Sequence, residues 1–229
     1  MPPLKATRQT MTYDSPSLPP SPPSSPPFPP GVAPLPPPPS PPGSFANKPA
    51  LQIAADLWCS NETAALAEYG NIADWEVSRI TDMSTLFCAE GYCTSDGKRT
   101  CNPDIGSWVT SAVTTMAAMF YGATSFDKGI SSWNTSSVLY MSYMFYGAIS
   151  FNKDLNSWNT SAVRNMNGMF NGASSFDKDI SSWNTSAVLY MGGMFYNASS
   201  FDKDLSSWDV SAALDMDDMF DDASSLSDC

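Results

Sequence analysis

Six tryptophans, Trp75, Trp108, Trp133, Trp158, Trp183 and Trp208, stand 33, 25, 25, 25 and 25 residues apart. A fixed period in this range marks an array of stacked units, none of which can bury its apolar face alone. The same residue types recur at the same offsets. Ile or Leu stands three residues before each Trp, Thr or Val two after it, Ser three after it, Met eight after it and Phe twelve after it. Ile/Leu, Trp and Thr/Val fit a short strand, with Trp and its second neighbour on one face. From the Ser onward the spacing turns helical, with Val138, Met141, Met144 and Phe145 on one stripe. Ser136 and its equivalents stand where a helix N-cap is wanted. Gly122, Gly147, Gly172, Asn197 and Asp222 stand where a left-handed C′ residue would end that helix. Phe126, Phe151, Phe176 and Phe201 then supply one buried ring per loop. The pattern predicts an elongated, right-handed α/β solenoid, with one short parallel strand and one short helix in each 25-residue unit.

Composition divides the chain. Residues 1–49 hold 19 of the 20 prolines, and carry Lys5, Arg8 and Lys48 against Asp14, a net of +2. The other residues carry 8 basic and 22 acidic groups, a net of −14. Residues 1–49 therefore read as a disordered Pro-rich arm favouring solvated polyproline II. Residues 50–71 read as a helical N-terminal cap. Leu51, Ala54, Ala55 and Trp58 face inward from its first helix, and a second helix, capped near Asn61, turns Leu66 and Tyr69 inward. Residues 72–229 hold the six units, the first swollen by an eight-residue Cys-containing insertion and the last incomplete. The stop at Cys229 reads as a truncated sixth unit rather than as an acidic edge.

With no His in the chain, His-based triads, His-ligated zinc and imidazole switching are excluded. An acidic folded region repels a phosphate backbone, so nucleic acid is not an expected partner. No apolar run approaches the ~18–20 residues of a membrane helix. Residues 1–15 lack the apolar core of a signal peptide. The Pro-rich arm, the sequons and the expected disulfides nevertheless suit an extracellular or surface location, with a cytoplasmic one as the alternative.

Leu205-x-x-Trp208-x-Val210 resembles the strand segment of a leucine-rich repeat with Trp in a Leu slot. Units such as "WNTSAVRNMNGMFNGASSFDKDI" resemble the BspA-like leucine-rich repeat surface proteins, among them the mycoplasma lipoprotein-type repeat of unknown function and sets from marine algae. The resemblance covers residues 50–229. It departs from the pattern at Glu76, Val109 and Leu86, and at the insertion. It implies an extracellular or surface role in adhesion or protein binding, with no catalytic activity established for the repeat.

Cys59, Cys88, Cys93 and Cys101 cluster around the insertion, with Cys229 far away. They lack zinc spacing and favour one or two disulfides near the cap, in a pairing the sequence leaves open; free buried thiols are the alternative. The repeated "FDKD" segments would stack their carboxylates. Lys128, Lys153, Lys178 and Lys203 within reach favour a self-neutralising ladder over calcium. Identical environments in each unit also argue against a pair of catalytic carboxylates. No metal, cofactor or catalytic residue is expected. Of five sequons, Asn134, Asn159 and Asn184 come with the repeat, while Asn61 and Asn197 are the candidate glycan acceptors. Tyr121, Tyr146 and Tyr196, with Asn134, Asn159 and Asn184, form the candidate recognition surface. The expected function is non-catalytic adhesion or recognition of a protein or carbohydrate at a cell surface or matrix by a monomeric, rigid, acidic solenoid. The alternative is a structural wall or matrix component without a specific ligand.

Overall fold

A computed structural model of the chain describes residues 42–90, 93 and 98–225. The chain divides into two units, residues 1–39 and residues 40–229, and only the second contains described residues. The expected disorder of the arm up to residue 41 and the expected truncation after residue 225 lie outside the described residues.

The repeats do not form an α/β leucine-rich-repeat solenoid. Among the described residues the α-helices are α1 (Lys48–Ser60) and α2 (Glu62–Tyr69), both in the cap, with 3-10 turns at Ile72–Asp74 and Lys98–Thr100. No strand or sheet forms there; successive units meet through isolated parallel bridges, Asp82 to Thr115, Thr115 to Tyr140, Tyr140 to Asn165, Asn165 to Tyr190 and Tyr190 to Asp215.

Backbone hydrogen bonding explains the difference. An α-helix sends every N–H to the carbonyl four residues back. Here Met141, Tyr143, Phe145 and Gly147 instead donate to Asn165, Asn167, Met169 and Asn171 of the next unit, at 2.9, 2.8, 2.9 and 2.7 Å. The interleaved Met144, Tyr146 and Ala148 donate three residues back, to Met141, Tyr143 and Phe145. The segment is thus a run of overlapping turns. Tyr143 (φ 57°) and Gly147 (φ 64°) are the third residues of two of them, the positive-φ position of a type II turn. The first of these positions recurs as Thr85, Ala118, Gly168, Gly193 and Asp218, all left-handed. A non-glycine residue there costs about 1–2 kcal/mol. Four bonds to the next unit, each contributing about 0.5–1.5 kcal/mol, offset that cost. Overlapping turns also bury residues three and four apart, so Val138, Met141, Met144 and Phe145 are all fully buried without a helix.

The expected N-cap is corrected as well. Ser136 caps nothing; its N–H donates to Oδ1 of Asn134 at 3.0 Å. The expected strand is replaced by side-chain bridging, in which the buried hydroxyl of Thr135 donates to the Asn159 carbonyl at 3.0 Å.

The core is a set of columns running through the units. All six repeat tryptophans are buried. Trp133, Trp158, Trp183 and Trp208 stack near-parallel with centroids 6.3, 6.4 and 6.3 Å apart. The Nε1 of Trp133 donates to the Ile105 carbonyl of the preceding unit at 3.0 Å, and Trp158 and Trp183 bond to Ile130 and Leu155 in the same way. Phe120, Phe145, Phe170 and Phe195 form a second column at 5.5 to 5.6 Å. Phe126, Phe151, Phe176 and Phe201 form a third. Such offset aromatic contacts add to what burial alone supplies.

The cap covers the first turn of the stack. Asn47 caps α1 and Asn61 caps α2, each side chain accepting an N–H of the first helical turn. Leu51, Ala54 and Ala55 are buried, and Trp58 sets its edge on Trp75 at 5.9 Å. Contrary to expectation Leu66 is exposed, and Ala65 is the buried residue of α2. Ahead of α1, Ser44 bridges to Glu76 and Phe45 packs on Trp75 at 5.0 Å. Cys59 of α1 is bonded to Cys101 and Cys88 to Cys93, with Cα atoms 5.2 and 5.8 Å apart. Lys98 is buried and donates to the Leu86 carbonyl at 2.9 Å while pairing with Asp56 of α1. No helix among the described residues is long and apolar enough to cross a membrane.

Candidate functional site

The repeat's outward polar residues are largely engaged in holding the units together. Ser132, Ser157, Ser182 and Ser207, each just before a Trp, donate to the carbonyls of Gly106, Ser131, Asn156 and Ser181 in the preceding unit. The second position of the "FDKD" segment forms a ladder of its own. The N–H groups of Asp127, Asn152, Asp177 and Asp202 donate to the Oδ1 atoms of Asn102, Asp127, Asn152 and Asp177 at 3.0 to 3.2 Å. Lys153 pairs with Asp127 at 2.7 Å and Lys203 with Asp177 at 2.6 Å. These carboxylates are ligated by N–H groups and ammonium. The last position of the segment, Asp179 and Asp204, accepts from Ser181 and Ser206 instead, and those bonds hold both carboxyls below their ordinary range.

The residues expected to form one recognition surface fall into separate sets. Asn134, Asn159 and Asn184 are exposed, but their side chains accept the N–H of Ser136, Ser161 and Ser186 at 3.0 to 3.1 Å. Tyr121 and Tyr146 lie face to face at 4.4 Å, with Tyr143 set edge-on to Tyr146 at 6.2 Å. Tyr196 stands two units further on, with Asn171 at the intervening position. Of the candidate glycan acceptors, Asn61 is an exposed helix cap. Asn197 is also exposed, at φ 53°, its N–H bonded to the Asp221 carbonyl.

Tyr196 belongs to a groove of about 480 Å³ running across four units. Tyr143 and Tyr196 stand in it, 41% and 37% exposed. Gly168, Gly192 and Gly193 lie between them, and Asn167, Asn171, Asp215, Asp217 and Asp218 complete the lining. The glycines let neighbouring side chains pack against the backbone. A Cβ on Gly168 would stand 2.6 Å from the Tyr143 ring, and one on Gly192 would stand 2.8 Å from the Asp215 carboxylate. Asn167 is fixed by accepting the Gly192 N–H at 2.8 Å. Asp222, hydrogen-bonded to Tyr196, and then Asp221 and Asp218, hold the Tyr196 phenol above its ordinary range. The site offers aromatic faces, amides and carboxylates.

Sequence reasoning missed every member of this groove except Tyr196. One signal does mark it. Counting from Trp, the residue types at offsets 3, 8 and 12 are invariant, but the tenth position reads Thr85, Ala118, Tyr143, Gly168, Gly193 and Asp218. The ninth reads Ser84, Ala117, Ser142, Asn167, Gly192 and Asp217. Positions freed from the repeat rule converge on the groove.

No curated protein and no solved structure matches the chain. The family described as Mycoplasma protein of unknown function, DUF285, matches at residues 60–158, 92–180 and 157–228. These matches together run from the second cap helix through all six Trp-centred units, and the chain belongs to this family of repeats.

Proposed function

We propose that the protein is a non-catalytic surface or extracellular repeat protein of the BspA-like kind, recognising a partner macromolecule through its tyrosine-bearing face. One observation carries the reading. Tyr121, Tyr143, Tyr146 and Tyr196 present partly or largely exposed rings, while the outward Ser and Asn rows are engaged in bonds within the stack. Rigid aromatic side chains present large contact area at little loss of rotamer entropy. The two disulfides suit an oxidising compartment. A structural wall or matrix role is favoured instead by the concentration of 19 of 20 prolines in residues 1–49, a composition suited to a spacer.

Titration of the full chain onto surface material of its source cells separates the two readings. Recognition predicts saturable binding that Tyr146→Ala weakens about tenfold, as truncation of an aromatic anchor does. Non-saturable retention, indifferent to Tyr146→Ala and lost with the arm, refutes recognition.

A further inference from the structure

We propose that the groove between Tyr143 and Tyr196 binds a lysine- or arginine-bearing extended segment of a partner protein. This inference rests on the recognition reading above and names the chemistry of its partner.

Charge and shape select the occupant. Asp215, Asp217 and Asp218 line the groove, and none of the described residues lining it is basic. With two aromatic faces beside them, the complement to these carboxylates is an organic cation. The negative field is felt by a neighbouring group: Asp222, Asp221 and Asp218 together oppose ionisation of the Tyr196 phenol. Two exposed tyrosine rings beside carboxylates suit an ammonium or guanidinium, which is attracted to the ring face and paired at its rim. Gly168 and Gly192 make room for the Tyr143 ring and the Asp215 carboxylate, which lie against them, and Gly193 leaves uncrowded backbone beside Tyr196.

The dimensions agree. Tyr143 and Tyr196 belong to units two apart. Bridged backbones are spaced by about 4.8 Å, so the two rings lie roughly 10 Å apart along the stack, the span of about three residues of extended peptide. Anionic glycans and nucleic acid are repelled by the same carboxylates. A neutral sugar would use the rings and amides but leave the three carboxylates without a counter-charge.

Calorimetry on the full chain with a short oligolysine peptide, and separately with a neutral glucan oligosaccharide, tests the assignment. The expected result is saturable binding of oligolysine that weakens as salt rises. Tyr196→Ala should weaken it about fivefold to tenfold. Asp217→Asn/Asp218→Asn should weaken it by about tenfold and flatten the salt dependence. Asp179→Asn/Asp204→Asn, which removes two fully exposed carboxylates outside the groove, should change it less than twofold. Equal losses in the two double variants, or indifference to Tyr196→Ala, would show attraction by net acidity alone and overturn the proposal. Glucan binding that depends on Tyr196 would assign the groove to carbohydrate and overturn it too. Absence of oligolysine binding, with Tyr146-dependent binding to source-cell surfaces intact, would sink this inference and leave the broader recognition reading standing.

Discussion

Left-handed residues and buried hydroxyls are the devices by which each unit is made to face its neighbour. Gly193 holds φ 58°, and the nearest atoms to a Cβ there lie at 3.7 Å or beyond. Gly193→Ala therefore isolates the backbone penalty and should lower stability by about 1–2 kcal/mol. Gly129 has neither a positive φ nor any atom within 4 Å of such a Cβ, so Gly129→Ala should shift it by less than about 0.5 kcal/mol. Urea unfolding of both variants checks the contrast. Thr160 is buried, with its hydroxyl on the Asn184 carbonyl at 3.0 Å. Thr160→Val keeps the shape and orphans that carbonyl, at a cost of about 1–3 kcal/mol by the same measurement. These positions were partly legible beforehand. The β-branched residue after Trp is visible as a pattern, but Thr at four of its six places reads as strand propensity until its hydroxyl is seen bridging units.

At the scale of elements, the cap and the turn run behave differently. The start of α2 was legible because its signal is local, Asn61 accepting an N–H as a helix start demands, whereas Asn47, which caps α1, fell within the residues read as the arm. The turn run was misread because overlapping turns and a helix bury the same offsets, and only the destination of the N–H groups separates them. The cap is held to the stack by the Cys59–Cys101 bond, which closes 42 residues. Loop-closure entropy for that length is about 4 kcal/mol. Cys59→Ala/Cys101→Ala should therefore lower stability by up to about that amount, read from urea midpoints, and should expose Trp75 to quenchers. A second tie is titratable. Lys48 of α1 reaches Asp82 of the first unit at 3.0 Å. Partial burial pushes the Asp82 carboxyl up, but the Ser84 hydroxyl and N–H and the Lys48 ammonium outweigh it and hold it below its ordinary range. A depressed carboxyl stabilises fully above the unfolded value of about 4, and the contribution is lost as pH falls through the lower folded value. Stability should decline over that acid window, less steeply in Asp82→Asn, when followed by tryptophan fluorescence.

At the scale of the molecule, stability comes from repetition. Met141, Met166 and Met191 are fully buried inside the stack, whereas Met216, at the same position of the last described unit, is 40% exposed. A peptide covering residues 133–157 alone should stay unfolded. A chain lacking residues 159–183 keeps the register of the columns, and should fold with a smaller urea slope and a lower midpoint, since one set of neighbour contacts is gone. The period of 25 and the tryptophan column were readable from spacing because a strict repeat forces equivalent residues into equivalent environments. The groove was not, because it is built where the repeat varies, as in the change from Tyr143 to Gly168 to Asp218.

The central claim is that repeat N–H groups reach across units instead of closing helices. Couplings transmitted through hydrogen bonds in NMR spectra test it most directly, at the amide of Tyr143. The structure predicts a coupling to the carbonyl carbon of Asn167, its acceptor at 2.8 Å. A coupling to Leu139, the partner four residues back in a helix, would contradict it.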